Sequence, residues 1–356
     1  MSVLLAIGTV KGLFLARSED RLTWDVSGPH LPFSEIYSFC FDSRRGRLLA
    51  GVSNPIFGPG LAISEDQGAT WKEGEQTAIA FPEDTGTSLE RVWQITVGPD
   101  GRIYAGTQPS ALFTSDDDAA TFTFGRALWD HPHRPEWGEG FGGQAIHTIL
   151  PHPADPEKVL VAMSTGGVYK TEDGGASWTA HNTGIEVVFQ PERFPEFGQC
   201  VHKVARDPEN PECLYLQNHC GVYRSDDGGD TWNSIADGLP GDFGFVMVAH
   251  PRRGGVIYSF PINGDENGRY PVGHRCRVYR SQDAGETWEA LTEGLPEEPF
   301  YPTILRDAMC VDDADPAGVY FGSRSGEVFA SADEGDSWVR VAAHLPDVTC
   351  VRAAVI

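Results

Sequence analysis

Four ionisable residues recur at a place where aligned repeats of this chain otherwise carry apolar ones: Arg91, His147, His202 and Asp307. Each opens a stretch that reads mostly Ile, Val, Ala and Met, and Phe245 and either Ile36 or Tyr37 hold the same place in two further repeats. His219 and Gln217, in Leu-Gln-Asn-His-Cys-Gly, fall beside His202, and Arg306 precedes Asp307. Buried polar groups need partners or water, so these residues are expected to face a shared wet funnel. Three chemistries suit them, and their spacing leaves all three open. They could satisfy one another and water, sealing the funnel. They could bind a small anionic or polyhydroxylated substrate, with Arg91, Arg306 and Gln217 on its carboxylate or hydroxyl groups, Asp307 as acid or base, and His147 and His202 moving protons. Or His147, His202 and His219 could hold a divalent metal, zinc or a redox metal, with Glu136 or Glu139 as a carboxylate neighbour; three imidazoles leave one position open for reaction.

The elements that must position these groups follow from an internal repeat. Ser/Thr-x-Asp-x-Gly-x-Ser/Thr-Trp occurs at Ser64–Trp71, Thr171–Trp178, Ser225–Trp232, Ser281–Trp288 and Ser331–Trp338. Ser115–Phe122 is a sixth copy with Ala119 for Gly, and Ser18–Trp24 a seventh, one residue short. Successive copies start 46 to 56 residues apart, the length of a four-stranded antiparallel blade. The Asp and Ser side chains suit a tight turn, Gly supplies the left-handed position, and the aromatic residue opens the next strand. Pro32, Pro240, Pro296 and Pro346 each lie eight residues after a motif Trp, ending the outer strand. The chain begins on what reads as a second strand (SVLLAIG) and finishes on a first strand (VTCVRAAVI). The fold expected is therefore all-β, one seven-bladed propeller domain over residues 1–356, its ring closed by the C-terminal strand completing the N-terminal blade.

Loops longer than a turn requires are expected at 75–91, 127–146, 183–201 and 260–275. The 127–146 loop, rich in aromatic residues, Gly and charge, reads as a substrate-facing lip in which Trp129 and Trp137 either stack a sugar ring or pin the loop. His152 and His250 precede Pro where Asp207 is equivalent, and read as turn residues. Cys310 and Cys350 read as core thiols.

Composition bounds the rest. There are 27 basic and 51 acidic side chains among 356 residues, a net charge of −24, which argues against a nucleic-acid partner. No run of about 18 apolar residues is present, so no membrane partner is expected. Seven cysteines, odd in number and without a Cys-x-x-Cys pair, suggest reduced thiols in a cytoplasmic protein.

The repeated turn resembles the Asp box, or BNR repeat, of the sialidase-like propeller superfamily, and the resemblance covers nearly the whole chain. It implies a seven-bladed propeller with its site on the face opposite the boxes. Sialidases, two-propeller xyloglucanases, sortilin-type receptors and a photosystem II assembly factor share the fold, and the chain resembles single-domain bacterial proteins called sialidase-like. A sialidase would carry an arginine triad, a Tyr–Glu pair and an FRIP-like motif. The N-terminus reads TVKGLFLARS, so sialidase activity itself is not expected. The resemblance implies a hydrolase on a small-molecule or glycan substrate; the alternative is a non-enzymatic scaffold or assembly factor that binds a protein partner.

Overall fold

The computed structural model describes residues 2–73, 79–140, 143–264 and 268–356; residues 74–78, 141–142 and 265–267, within three of the expected loops, lie outside the described residues. Seven four-stranded sheets account for the strands, and they make the fold a seven-bladed β-propeller. By contact the chain divides into two units, residues 33–201 and residues 1–32 with 202–356. The cut falls one residue into the strand Val201–Arg206, so that strand and the Cys200 leading into it are described with the second unit.

In the first unit the three blades start on Glu35–Asp42, Arg91–Val97 and Ile146–Pro151. Each of these strands carries a register shift near its start, between Ile36 and Ser38, Val92 and Gln94, and Ile146 and Thr148. Tyr37, Trp93 and His147 are thus equivalent bulged residues. A bulge re-aims its side chain and leaves the ladder locally unpaired. Arg91 stands two residues ahead of its bulge, so it is not in line with His147 as the repeat alignment had placed it. The outer strands shrink to two residues, as at Thr123–Phe124 and Thr179–Ala180.

The second unit holds the blades that start on Val201–Arg206, Val248–Ala249 and Met309–Val311, and the blade built from both ends of the described chain. There Val348–Val355 pairs antiparallel with Val3–Thr9, Val3 opposite Val355, as expected. All seven residues of Val3–Thr9 are buried, so this strand is core on both faces.

The repeated turn owes its shape to one aspartate and one hydroxyl. At Ser225–Trp232 the Ser225 hydroxyl donates to Asp227 Oδ1 at 2.7 Å and accepts the Gly229 N–H at 2.8 Å. Asp227 accepts the Thr231 N–H at 2.9 Å and its hydroxyl at 2.6 Å. The copy at Ser115 keeps the same bonds, with Ala119 held at φ 69° where five other copies have Gly. Burial raises the Asp227 pKa, but the Thr231 hydroxyl and N–H and the Ser225 hydroxyl outweigh it and bring it down to about 2. A folded value below the unfolded one, about 3.9, stabilises the fold above that unfolded value, and the contribution is lost as pH falls through 2. Asp227→Asn is accordingly expected to cost about 1 kcal/mol at pH 7, solvent screening included, with the deficit closing toward pH 2 in urea unfolding curves.

The two periodic marks of the sequence, Trp and Gly-Leu-Pro, prove to be halves of one joint. Trp288 Nε1 donates to the Ile235 carbonyl of the preceding blade at 2.9 Å. One repeat later Trp338 N donates to the Glu293 carbonyl at 2.9 Å, and Gly294 (φ 81°) sits so close that a Cβ there would lie 2.1 Å from the Trp338 carbonyl oxygen. Only glycine fits such an approach in that conformation.

Candidate functional site

In the second unit two groups of polar side chains stand where sequence placed a funnel. The first is built on aromatic rings. Phe243 and Phe245, buried, meet edge to face with centroids 5.4 Å apart, and the His202 ring lies 4.7 Å from Phe245 and 5.6 Å from Phe243. His219, in the turn after the strand Leu214–Asn218, meets His202 at 5.6 Å and Phe243 at 4.9 Å, both near-perpendicular. Two guanidiniums border the same rings: Arg306 lies 5.1 Å from the Phe245 centroid, and Arg269 5.7 Å from Phe245 and 5.9 Å from Phe243. His202 is 2 % exposed and its Nδ1 lies 2.5 Å from the Gly244 carbonyl oxygen. Burial first, and then the Arg306 charge, hold its pKa well below the usual imidazole value. His202 is therefore neutral at physiological pH, and because a carbonyl only accepts, its proton is on Nδ1 and its lone pair on Nε2.

The second group is an ion network. Lys203, on the other side of the strand from His202, donates to Asp307 Oδ1 at 2.8 Å, and Arg352 donates to the same oxygen. The Asp307 carbonyl takes the Val351 N–H at 2.7 Å and Arg352 Nη1 at 3.1 Å. Burial raises the Asp307 pKa, yet Lys203 and Arg352 overrule it and hold the carboxyl below its usual range. An acid held this firmly ionised cannot give up a proton near neutral pH and is a poor base. Asp307, expected as acid or base, stands here as a buried counter-ion.

The remaining expected residues have local partners. Gln217, 1 % exposed, spends its amide N–H groups on the carbonyls of Asn218 and Asp242, both at 2.8 Å, and so fixes the turn that carries His219. In the first unit, His147 Nε2 lies 3.2 Å from the Ser164 hydroxyl. Arg91 pairs with Glu35 at 2.9 Å and with Gln108 at 3.1 Å, its guanidinium 4.3 Å from the Tyr37 ring. Trp137 is buried, donates to the Tyr169 hydroxyl at 2.9 Å and stacks on His131; Arg134 covers Trp129 at 3.4 Å. Of the two roles expected for these tryptophans, the contacts are those of loop pins. Glu136 and Glu139 are exposed.

Among the described residues, one group of His, Cys, Asp or Glu donors is close enough to share an ion: Cys200, His202 and His219, with one donor atom of each within 4.8 Å of the others. It has Cys200 where sequence had placed His147. The available signal was the i, i+2 spacing of Cys200 and His202, which puts both side chains on one side of an extended chain. The other thiols are core: Cys310 and Cys350 are buried, and burial pushes both up to about 12. None of the seven cysteines forms a disulfide. Among the described residues no helix is long and apolar enough to cross a membrane.

With this geometry in view, comparison places the chain among known propellers. It is similar to the xyloglucanase Xgh74A of Acetivibrio thermocellus, 24% identical over 273 residues, which cover 67% of this chain and 30% of that protein. The chain thus matches under a third of that relative's length. The crystal structure of the Niastella koreensis GH74 enzyme superposes with a TM-score of 0.63 at 15% identity, covering 94% of this chain and 51% of that one. The likeness is one of fold. YCF48 from Cyanidioschyzon merolae superposes with a TM-score of 0.56 at 15% identity, covering 88% of this chain and 86% of that one. No protein-family model matches the chain.

Proposed function

We propose that this chain is a glycosidase-like hydrolase working as a single propeller domain of the Asp-box, sialidase-like kind, on a small anionic or sugar-like substrate, without being a sialidase. The observation that carries the reading is the convergence of Arg269, Arg306, His202 and His219 on the Phe243–Phe245 pair. Similarity to a xyloglucanase over two thirds of the chain supports hydrolysis of a glycan. The two guanidiniums, packed on the buried phenyl rings, hold a carboxylate or hydroxyl groups of the substrate. Asp307 and Gln217 position this group rather than react. Free thiols throughout fit a reducing, cytoplasmic setting.

The test is a screen of uronates, sialosides, xyloglucan oligosaccharides and sugar lactones as substrates, followed by Arg306→Ala on whatever turns over. Loss of a charged contact made in the transition state is expected to lower kcat/KM about 100-fold. No turnover across the screen, or an unchanged kcat/KM in the variant, would overturn the reading. One observation favours a second reading, a scaffold that binds a protein: Val188, Phe189 and Phe194 stand 68%, 48% and 49% exposed on one loop. Under that reading Phe189→Ser with Phe194→Ser abolishes partner binding and leaves any hydrolysis intact.

A further inference from the structure

We propose that Cys200, His202 and His219 are the ligands of a single zinc-class divalent cation, bound as one thiolate and two imidazoles with the fourth position open. The existence of this site is independent of the hydrolase reading and rests on it only for what the metal would do.

Four features lead there. The three donor atoms already lie within 4.8 Å of one another, and ligands of a tetrahedral zinc stand roughly 3.5 Å apart, so small side-chain rotations close the set. Cys200 and His202 come from one extended segment, and His219 from the turn that follows its neighbouring strand in the same sheet. Two elements hydrogen-bonded in one sheet fix the span between donors before any ion arrives.

His202 is also oriented as a ligand. Its Nδ1–H is donated to the Gly244 carbonyl at 2.5 Å, the kind of carbonyl contact that fixes the ring orientation of ligating histidines. That carbonyl is itself held in place. A Cβ on Gly244 would meet the Gln217 amide oxygen and the Phe260 carbonyl at 3.1 Å each, so close approach of the main chain is built in. Gln217 in turn ties the Asp242 carbonyl to the turn bearing His219. One amide therefore braces the segments behind two of the three ligands.

The donor set selects the metal. A thiolate with two imidazoles suits borderline and soft cations such as zinc, and repels calcium and magnesium, which require oxygen ligands. The Phe243 ring walls one side of both imidazoles, restricting water on that side. Arg269 and Arg306, bordering the same rings, bring positive charge that would guide an anionic group toward the open position. A zinc-class ion held by these three residues would supply activation of a water at neutral pH, a role that the ionised Asp307 does not fill.

The experiment is cobalt titration of the full chain after dialysis against chelator, read by the thiolate-to-cobalt charge-transfer band and by metal content. One cobalt per chain with that band is expected. Cys200→Ser should abolish the band, and His219→Ala, at a half-buried position that tolerates truncation, should weaken cobalt binding at least about tenfold. Cys220→Ser, a thiol next to His219 but outside the group, should keep the band. If Cys200→Ser does not fold, the His219→Ala affinity decides. Absence of the band in the wild type, its survival in Cys200→Ser, its loss in Cys220→Ser, or unchanged affinity in His219→Ala would each overturn the site. Cobalt binding with no turnover of any substrate removes the hydrolase reading and keeps the site; turnover by metal-free protein without the band does the reverse.

Discussion

Asp307→Ala is expected to destabilise the protein by about 3 kcal/mol at pH 7, because it strips a buried carboxylate from two partly buried cations. Lys203 and Arg352 share one Asp307 oxygen, and the carboxylate side chain is 4 % exposed, so water cannot replace it. The two cations differ in how they respond. Burial already holds the Lys203 pKa below its usual value, so Lys203 can shed its proton, whereas Arg352, pushed upward, cannot. The deficit of the variant should therefore shrink at alkaline pH as Lys203 becomes neutral. In the wild type the sign runs the other way at low pH. The folded Asp307 pKa lies below its unfolded value, so its contribution is complete above about pH 4 and disappears as acid protonates it. Urea unfolding of wild type and variant at pH 7, at pH 10 and in acid below about pH 4 measures these effects. A loss under about 1 kcal/mol at pH 7 would mean the network is held by its neighbours and not by this carboxylate.

Trp338→Ala should be as damaging by a different route, about 3–5 kcal/mol, without touching the candidate site. Trp338 is 4 % exposed, meets Phe321 at 5.2 Å edge to face, and joins its blade to the preceding one through the Glu293 carbonyl. Truncation empties an indole-sized volume between two sheets whose Gly294 contact leaves no slack for collapse. Cobalt binding measured under native conditions should be retained. Unaltered thermal unfolding, or loss of cobalt with stability intact, would contradict the structural assignment of the repeat aromatic residues.

The blades were legible because turn chemistry is local. An Asp, a hydroxyl and a Gly within eight residues specify the same hydrogen bonds at each copy, whatever lies between, and the copies alone predict seven sheets. The turn roles of His250 and Asp207 were equally local: each accepts the N–H groups two and three residues ahead. The site was less legible for two physical reasons. A bulge adds one residue to the first strand of a sheet and leaves no compositional mark, which is why Arg91 and not Trp93 was aligned with His147. Partners far apart in sequence are invisible to spacing: Asp307 meets Lys203 across 104 residues and Arg352 across 45. Cys200 was passed over because a Cys-x-His pair becomes a ligand pair only when His219 is delivered beside it.

The sheet that joins Val3–Thr9 to Val348–Val355 sets a timetable on the ribosome. Val3–Thr9, buried along its whole length in the folded chain, is made well before its partner edge, which does not exist until residue 355 has been added. While the residues between them are made, one blade waits with an open edge beside a hairpin already able to form through Gly12–Ser18. An unsatisfied apolar strand is what holdase chaperones capture and what neighbouring nascent chains pair with. This interval of exposure is thus set by the order in which residues are made, and it closes only when the eight-residue strand Val348–Val355 docks.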